Sequence, residues 1–130
     1  IWEAGTVEEA ERIVTDRKLD FVVLDYFLDG LDGADFTRFV RRREKGLNRT
    51  VPILLLTAMP NHSKVVKMRD AGVNDIVAKP VSPRTLYTHM HHILAIPRPF
   101  VITRNYVGPC RRRKKLDVPP ELDRRRRRAA

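Results

Sequence analysis

Three short apolar runs divide the first part of the chain, and each ends abruptly at a polar residue. The runs are Phe21-Val22-Val23-Leu24 before Asp25, Ile53-Leu54-Leu55-Leu56 before Thr57, and Ile76-Val77-Ala78 before Lys79. Short apolar runs without alternation are typical of parallel strands that are covered on both faces. We therefore predict a buried strand at each run, and we expect Ile1-Trp2-Glu3 to be the end of an earlier strand.

Helical patterns lie between the predicted strands. Apolar residues recur at helical spacing in segments that begin near Val7, Phe36, Val65 and Leu86. Because strands and helices alternate along the chain, the connections between strands are right-handed crossovers. This order predicts a doubly wound α/β fold with a parallel sheet.

The net charge of +10 is concentrated at the C-terminal end of the chain. Residues 1–96 contain 14 Lys and Arg against 13 Asp and Glu, whereas residues 97–130 contain 12 against 3. The second segment has two arginine runs and few apolar side chains, so it cannot bury enough surface to offset the entropy lost on ordering. We predict one domain over residues 1–96 and a basic, largely disordered tail over residues 97–130.

Length and composition exclude several classes of protein. The single cysteine, Cys110, rules out a disulfide scaffold and a zinc site built on several thiolates. No apolar stretch approaches the roughly 18 residues that a membrane span needs. A chain of 130 residues is long enough for one well-packed core but too short for two.

Asp25, Thr57 and Lys79 are the candidate site residues. Each directly follows a predicted strand, and the carboxyl ends of parallel strands share the edge where open α/β sheets bind ligands. At such an edge a carboxylate can attack phosphorus, a hydroxyl can donate to a phosphoryl oxygen, and an ammonium can neutralise the added charge. Any one of these residues alone can simply end a strand, but the three together favour phosphoryl chemistry.

The sequence around these residues resembles the CheY-like receiver domain of bacterial two-component response regulators. The resemblance covers roughly residues 1–96 and implies a sheet of strand order 2-1-3-4-5. It also implies that Asp25 is the phosphoacceptor, Thr57 the switch hydroxyl and Lys79 the phosphate contact, with a cis Lys79–Pro80 peptide bond. The matching motifs are Phe21-Val22-Val23-Leu24-Asp25, Leu31-Asp32-Gly33, Val51-Pro52-Ile53-Leu54-Leu55-Leu56-Thr57-Ala58, Asp70-Ala71-Gly72-Val73 and Ala78-Lys79-Pro80.

The same resemblance implies partners and a cofactor. A sensor histidine kinase would supply the phosphoryl group, and a downstream protein target would receive the signal. Mg²⁺ would be held by the Asp25 carboxylate and the backbone carbonyl of Phe27. The protein would be cytoplasmic, and it would be a monomer or a phosphorylation-dependent dimer. It would not be an enzyme beyond self-catalysed phosphoryl transfer to Asp25 and hydrolysis from it.

The chain departs from the family pattern at several positions. The family's first strand, whose acidic pair helps to bind Mg²⁺, and the helix after it are expected to precede Ile1. We therefore expect this chain to fold poorly, to bind the ion weakly or not at all, and to be phosphorylated weakly. Ile76 stands where the family usually has an aromatic switch residue. Phe27 and Met59 occupy the positions that flank the attacking water during dephosphorylation, and neither can orient that water by a strong hydrogen bond.

Other interpretations stay open at this point. A haloacid-dehalogenase-type phosphatase also uses an aspartyl nucleophile, but it needs a second carboxylate two residues later, where this chain has Phe27. His89, His91 and His92 could belong to a metal site, although no further ligand is evident nearby. The main alternative is a polyanion-binding module with a degenerate receiver, because the arginine runs of the tail can bind nucleic acid or an acidic partner by releasing counterions.

Overall fold

The computed structural model describes residues 1–28, 31–58 and 60–111. The helices are α1 (Val7–Asp16), α2 (Gly33–Arg42), α3 (His62–Ala71) and α4 (Pro83–Ala95). The strands are β1 (Val22–Asp25), β2 (Phe27–Leu28), β3 (Leu31–Asp32), β4 (Ile53–Thr57), β5 (Asp75–Ala78), β6 (Phe100–Ile102) and β7 (Val107–Pro109).

The central sheet is parallel and has the strand order β1-β4-β5. Each of its strands coincides with one of the apolar runs that the sequence analysis singled out. Two small antiparallel pairs, β2 with β3 and β6 with β7, lie outside this sheet. The predicted α/β class is confirmed, since the parallel sheet is built from strands that alternate with helices along the chain.

The alternation of side chains along β4 divides the core between the two faces of the sheet. Ile53 and Leu55 are fully buried in a cluster that also contains Val14 of α1, Phe36 of α2 and Met68 of α3. On the opposite face, the fully buried Leu54 packs with Val77 and with Ile93 of α4. Because both faces are covered by helices, the polar residues of the site emerge at the ends of the strands.

The strand predicted at Ile1-Trp2-Glu3 is absent, because these residues form no regular element in the structure. Within the described residues, β1 pairs only with β4, so no neighbouring strand is available on its other side. The Trp2 ring instead lies under the Arg17 guanidinium, at 3.8 Å from its central carbon to the ring centroid. A cation–π contact to the end of α1 thus replaces the expected backbone pairing.

The prediction of a disordered tail is wrong for residues 97–111, where β6 and β7 form an antiparallel hairpin. Tyr106 is 6% exposed, and its hydroxyl donates to the carbonyl of Pro109 at 2.6 Å. The low apolar content of the whole segment obscured a local run of bulky apolar residues, Phe100-Val101-Ile102, of which Phe100 and Val101 are partly buried. Residues 112–130, including most of both arginine runs, lie outside the described residues.

The hairpin packs on the domain around Gly72 and Arg41. Gly72 has φ +105°, and a Cβ atom at this position would overlap the carbonyl oxygen of Val107. The Arg41 guanidinium is 1% exposed and donates to the carbonyls of Gly72, Arg49 and Val51 at 2.7–2.9 Å and to the Asn74 amide oxygen at 3.0 Å. Burial lowers the pKa of Arg41 to about 10, so its side chain stays charged at neutral pH.

Among the described helices, none has both the length and the apolar character that crossing a bilayer requires.

Candidate functional site at the carboxyl edge of the sheet

The three parallel strands end almost level with one another. In the register of the sheet, Asp25 lies opposite Leu56 and Thr57 lies opposite Ala78. The backbone N–H of Lys79 donates to the carbonyl of Thr57 at 2.8 Å. Because neighbouring strands are about 4.8 Å apart, this register brings the backbones of Asp25, Thr57 and Lys79 to one edge of the sheet.

The side chains of Asp25 and Lys79 meet at this edge. The ammonium of Lys79 contacts one carboxylate oxygen of Asp25 in an ion pair. The Asp25 side chain is 32% exposed and the Lys79 side chain 41% exposed, so both are accessible to a reactant from solvent. Thr57 is 3% exposed and lies at the end of β4, between the strands that carry the other two residues. The peptide bond after Lys79 is cis, as the sequence predicted.

A short turn holds the residues after Asp25 against the sheet. The backbone N–H of Tyr26 donates to the carbonyl of Leu56, and the N–H of Gly33 donates to the carbonyl of Tyr26, both at 2.8 Å. A Cβ atom on Gly33 would lie 2.6 Å from a methyl carbon of Leu55 and 3.0 Å from the carbonyl oxygen of Asp25. Glycine is therefore required here, because the start of α2 passes directly over the end of β1.

Phe27 projects from this turn beside the candidate phosphoacceptor. Its ring is 68% exposed and stands edge-to-face on the Tyr26 ring, with 4.7 Å between the centroids. The Lys64 ammonium of α3 lies 5.6 Å from the centroids of both rings. Phe27 thus presents an apolar surface and has no side-chain hydrogen-bonding group to offer a water molecule. Met59, the second residue expected to flank the attacking water during dephosphorylation, lies outside the described residues.

The described residues do not form a complete Mg²⁺ site. They contain no group of three His, Cys, Asp or Glu side chains close enough to hold a metal ion. The Asp25 carboxylate, which the described part of the site offers, is paired with Lys79. The backbone carbonyl of Phe27 adds a second oxygen at most, whereas Mg²⁺ requires near-octahedral oxygen coordination. The donor set of the described residues therefore does not fit a protein-held magnesium ion.

Ile76 occupies the switch position on β5, opposite Leu55 in the register. Its aliphatic side chain is half-buried and packs against the core cluster formed by α1, α2 and α3. A branched aliphatic side chain has no ring that could turn inward from this position.

The sequence analysis missed a contact between α3 and the start of α2, close to the site. Asp32 caps α2 by accepting from the N–H of Ala34 at 2.8 Å, and its other carboxylate oxygen pairs with the Lys67 ammonium of α3. Burial raises the pKa of the Asp32 carboxyl, but the hydrogen bonds from Lys67 and Ala34 lower it more, and the net pKa lies below its ordinary value. Lys64 and Lys67, spaced i, i+3, thus link α3 to the segment after Asp25.

Within the described part of the chain, the histidines of α4 do not belong to any group of side chains that could hold a metal ion. His89 contacts the Asp75 carboxylate through Nδ1 at 2.6 Å, and the His91 ring stacks on Tyr87 with 5.9 Å between the centroids. His89 and His91 therefore have different contacts. A metal site at His89, His91 and His92 would need a group of neighbouring ligands, and the described residues contain none.

Comparison with known proteins was made for the sequence and for the structure. The sequence profile of the response regulator receiver domain family matches residues 1–91. Over 92 residues the chain is 33% identical to the phosphate regulon transcriptional regulatory protein PhoB of Pseudomonas aeruginosa, and the match covers 71% of this chain and 39% of that protein. The chain thus spans about two fifths of the length of this curated relative.

Solved structures show the same similarity. The receiver domain of a sensor histidine kinase from Pseudomonas aeruginosa PAO1, crystallised with a magnesium ion in its active-site cleft, superposes with a TM-score of 0.62 at 29% identity, covering 71% of this chain and 74% of that one. The non-phosphorylated HemR receiver domain from Leptospira biflexa superposes with a TM-score of 0.63 at 26% identity, covering 75% of this chain and 76% of that one.

Proposed function

The chain belongs to the response regulator receiver domain family, and we propose that it acts as a phosphorylation-dependent switch in a two-component pathway, with Asp25 as the phosphoacceptor. Receiver domains are signalling modules rather than typical enzymes. The observation that carries the proposal is the ion pair between Asp25 and Lys79 at the carboxyl edge of the parallel sheet. A carboxylate that is accessible, held by a short turn and paired with a cation is suited to act as a nucleophile.

The phosphoryl group would come from the phosphohistidine of a sensor kinase. A carboxylate oxygen of Asp25 attacks phosphorus, a new O–P bond forms, and the P–N bond to the kinase imidazole breaks. The imidazole leaves with the electron pair of that bond and takes up a proton from solvent. In the product, Lys79 faces an acyl phosphate with about −2 charge instead of a carboxylate with −1, so its ammonium interacts more strongly with the product than with the free site.

Thr57 is the residue that would sense the new group. Its hydroxyl lies at the end of β4, between the strand that carries Asp25 and the strand that precedes Lys79. A hydroxyl can donate a hydrogen bond to a phosphoryl oxygen, which Asp25 would carry only after phosphorylation. Thr57 would therefore draw the segment after β4 towards the site when the phosphoryl group is present.

The output of the switch would be altered affinity for another protein. The segment after β4 leads directly into α3, which also contacts the turn after Asp25 through Lys64 and Lys67. A displacement at the site would thus reach the outer surface of α3 and β5. A change in protein–protein contacts, with a sensor histidine kinase upstream and a protein target downstream, is the simplest use of such a displacement.

The phosphoacceptor can be tested by labelling the protein with acetyl phosphate and measuring the intact mass. We expect a fraction of the wild-type protein to gain the mass of one phosphoryl group. The Asp25→Asn variant is expected to gain none, because an amide is not a nucleophile towards phosphorus at neutral pH. Asp20→Asn, which changes an exposed carboxylate two residues before β1, serves as the matched control.

The outcomes separate the proposal from its competitors. Labelling that is lost in Asp25→Asn and retained in Asp20→Asn supports the assignment. Equal labelling of all three proteins would show that Asp25 is not the phosphoacceptor. Circular dichroism of each variant establishes that the comparison is made between folded proteins.

A further inference from the structure

The ends of α1 and α2 meet at the amino-terminal end of the parallel sheet, opposite the edge that carries Asp25. Each helix leads back to the start of a strand, α1 to β1 and α2 to β4. Residues 15–20 and 42–49, which end and follow the two helices, carry six basic and three acidic side chains. Because residues 1–96 as a whole have 14 basic and 13 acidic side chains, this end of the domain is more basic than the rest.

A buried asparagine fixes the two segments against each other. Asn48 is 2% exposed, and its amide nitrogen donates to the carbonyls of Val14 and Arg17 at 2.7 and 2.6 Å. Its side-chain oxygen accepts a hydrogen bond from the backbone N–H of Leu19 at 2.8 Å. The basic side chains of the two segments are therefore held near one another before any ligand binds, which reduces the entropy lost on binding.

Four exposed basic side chains lie along this junction, those of Arg17, Lys18, Arg43 and Lys45. The Lys18 ammonium donates to the carbonyl of Leu47 at 2.9 Å. The Arg43 guanidinium donates to the hydroxyl of Thr15 at 3.2 Å. Both contacts join one segment to the other, and neither neutralises a charge. Within the described part of the chain no carboxylate forms an ion pair with any of the four, so their charges favour an anionic ligand.

A small cleft of about 70 Å³ opens between the two segments. Arg43 and Lys45 are its charged lining residues, and Thr15 adds a hydroxyl. The volume is well below the roughly 300 Å³ at which pockets for whole small molecules begin, but it can accept a single phosphate group. A ligand that places a phosphate here must therefore extend over the surrounding surface.

Trp2, the single tryptophan of the chain, lies beside the same cations. The Arg17 guanidinium covers one face of its ring, with 3.8 Å from the central carbon to the ring centroid. Because Trp2 is nevertheless 55% exposed, much of the other face is open to solvent. Proteins that bind single-stranded nucleic acid stack unpaired bases on such rings, next to basic side chains that contact the phosphates. We call Trp2 and the four basic side chains the amino-end surface.

We propose that the amino-end surface binds single-stranded nucleic acid, with one base on the open face of Trp2 and backbone phosphates against the basic side chains. The phosphates contribute affinity through charge and counterion release, and the base contributes by stacking, which does not depend on its identity. An acidic peptide could use the charges but has no base to place on the ring. This activity is additional to the proposed switch, and it uses residues of the folded domain rather than the arginine runs of residues 112–130.

The test measures the fluorescence of Trp2 in the full chain, which contains no other tryptophan. We expect an oligodeoxythymidylate of about 12 nucleotides, within the site sizes of single-strand-binding folds, to quench this fluorescence to saturation, because a stacked base contacts the ring. The binding should weaken as salt is added. Polyphosphate and polyglutamate carry negative charges without bases, and we expect them to leave the fluorescence largely unchanged even when they bind to the chain.

Lys45→Glu tests the contribution of the cations, and Arg43→Glu provides a second variant at the same cleft. In each we expect the Kd from the quenching curve to rise about fivefold or more, because one phosphate contact is lost and a repulsive charge is added. Arg84→Glu is the matched control, since Arg84 is exposed in the first turn of α4 and its reversal changes the net charge by the same amount. Circular dichroism verifies that the variants are folded.

Several results would overturn the proposal. Equal quenching by polyphosphate or polyglutamate would show that bound anions, and not a stacked base, perturb Trp2. Failure of the oligonucleotide to quench the fluorescence would exclude stacking on the ring. An equal rise in Kd in Lys45→Glu and Arg84→Glu would indicate non-specific attraction to a basic chain. We expect Asp25→Asn to bind like the wild type, which keeps this result separate from the phosphoacceptor assignment.

Discussion

At the scale of single residues, the site is determined by which side chains the ends of the strands present. Asp25 and Lys79 reach each other because β1 and β5 flank β4 and end within one residue of the same level. Neither side chain is fully buried, so the ion pair between them contributes little to folding stability by itself. Its value lies in holding a carboxylate and a cation together at an accessible position.

The first prediction concerns the lifetime of the phosphorylated state. Phe27 and Met59 cannot orient a water molecule by a strong hydrogen bond, so hydrolysis of the acyl phosphate is expected to be slow. The double variant Phe27→Asn, Met59→Glu introduces polar groups at both positions. We expect its acyl phosphate to hydrolyse several-fold faster, because positioning of a reactant commonly raises a rate about tenfold or more. The measurement is the loss of phosphorylated mass with time after acetyl phosphate is removed.

A conservative control accompanies this experiment. Phe27→Leu keeps an apolar side chain at the same place and is expected to leave the decay rate near the wild-type value. If the double variant decays no faster than the wild type or Phe27→Leu, the two positions do not control access of water.

The positions of the site residues were largely predictable from the sequence, but their supporting contacts were not. Apolar runs that end at Asp25, Thr57 and Lys79 identify strand ends, and parallel strands share an edge. No sequence pattern predicts the ion pair between Lys67 and Asp32, because that contact depends on how α3 packs against α2. The burial of Arg41, within a run of arginines, likewise depends on the helical register that aligns it with Thr37 in α2.

At the scale of elements, α2 and α3 are joined at the site by the Asp32–Lys67 pair. Asp32 has a folded-state pKa below its ordinary value of 3.8. A group with a depressed folded pKa stabilises the protein above its unfolded pKa, and this stabilisation is lost as the pH falls through the folded pKa. The pair therefore stabilises the protein at neutral pH and ceases to do so in acid.

The second prediction follows from the lowered folded-state pKa of Asp32. At neutral pH, Asp32→Asn is expected to lower the free energy of unfolding by about 0.5–1 kcal/mol, because asparagine still caps the helix but the partly exposed ion pair is lost. The difference from the wild type should shrink as the pH falls below about 4. Urea unfolding of both proteins at a series of pH values measures this difference in the free energy of unfolding. A difference that stays constant down to pH 2–3 would show that the carboxylate of Asp32 is not the group responsible.

Asp35→Asn provides the control within the same helix. Asp35 pairs with Arg38 across one turn, and its side chain is 65% exposed. Loss of such a surface pair is expected to change the free energy of unfolding by no more than about 0.5 kcal/mol at neutral pH. A larger effect in Asp35→Asn than in Asp32→Asn would contradict the importance given to the contact between α2 and α3.

At the scale of the whole molecule, the ordered unit extends beyond the segment that matches the receiver family. The family profile ends at residue 91, whereas the structure describes an ordered hairpin that ends at Pro109. The hairpin lies over Gly72 and beside Arg41, whose guanidinium is 5.3 Å from the centroid of the Phe100 ring. This extension was missed because composition averaged over residues 97–130 is dominated by arginine, whereas the burial of Phe100 and Tyr106 is a local property.

The third prediction is that the hairpin stabilises the domain. A chain that ends after Ile96 loses the burial of Tyr106 and the cover over Gly72 and Arg41. We expect its free energy of unfolding to fall by about 2 kcal/mol or more, the amount that burial of one large aromatic side chain contributes. A chain that ends after Arg111 retains the hairpin and is expected to unfold like the full chain. Urea denaturation compares the three proteins, and equal midpoints for the chains ending at Ile96 and Arg111 would refute the prediction.

The hairpin segment also has a consequence for how copies of the molecule can associate. On the outer side of β5, the Arg98 guanidinium donates to the carbonyl of Asn74. The Asp75 carboxylate accepts a hydrogen bond from the N–H of Ile76. These backbone groups are therefore unavailable to an incoming strand, and this border of the sheet resists intermolecular strand addition. Among the described residues no strand pairs with the other side of β1, so this protection of backbone groups is described for the β5 border.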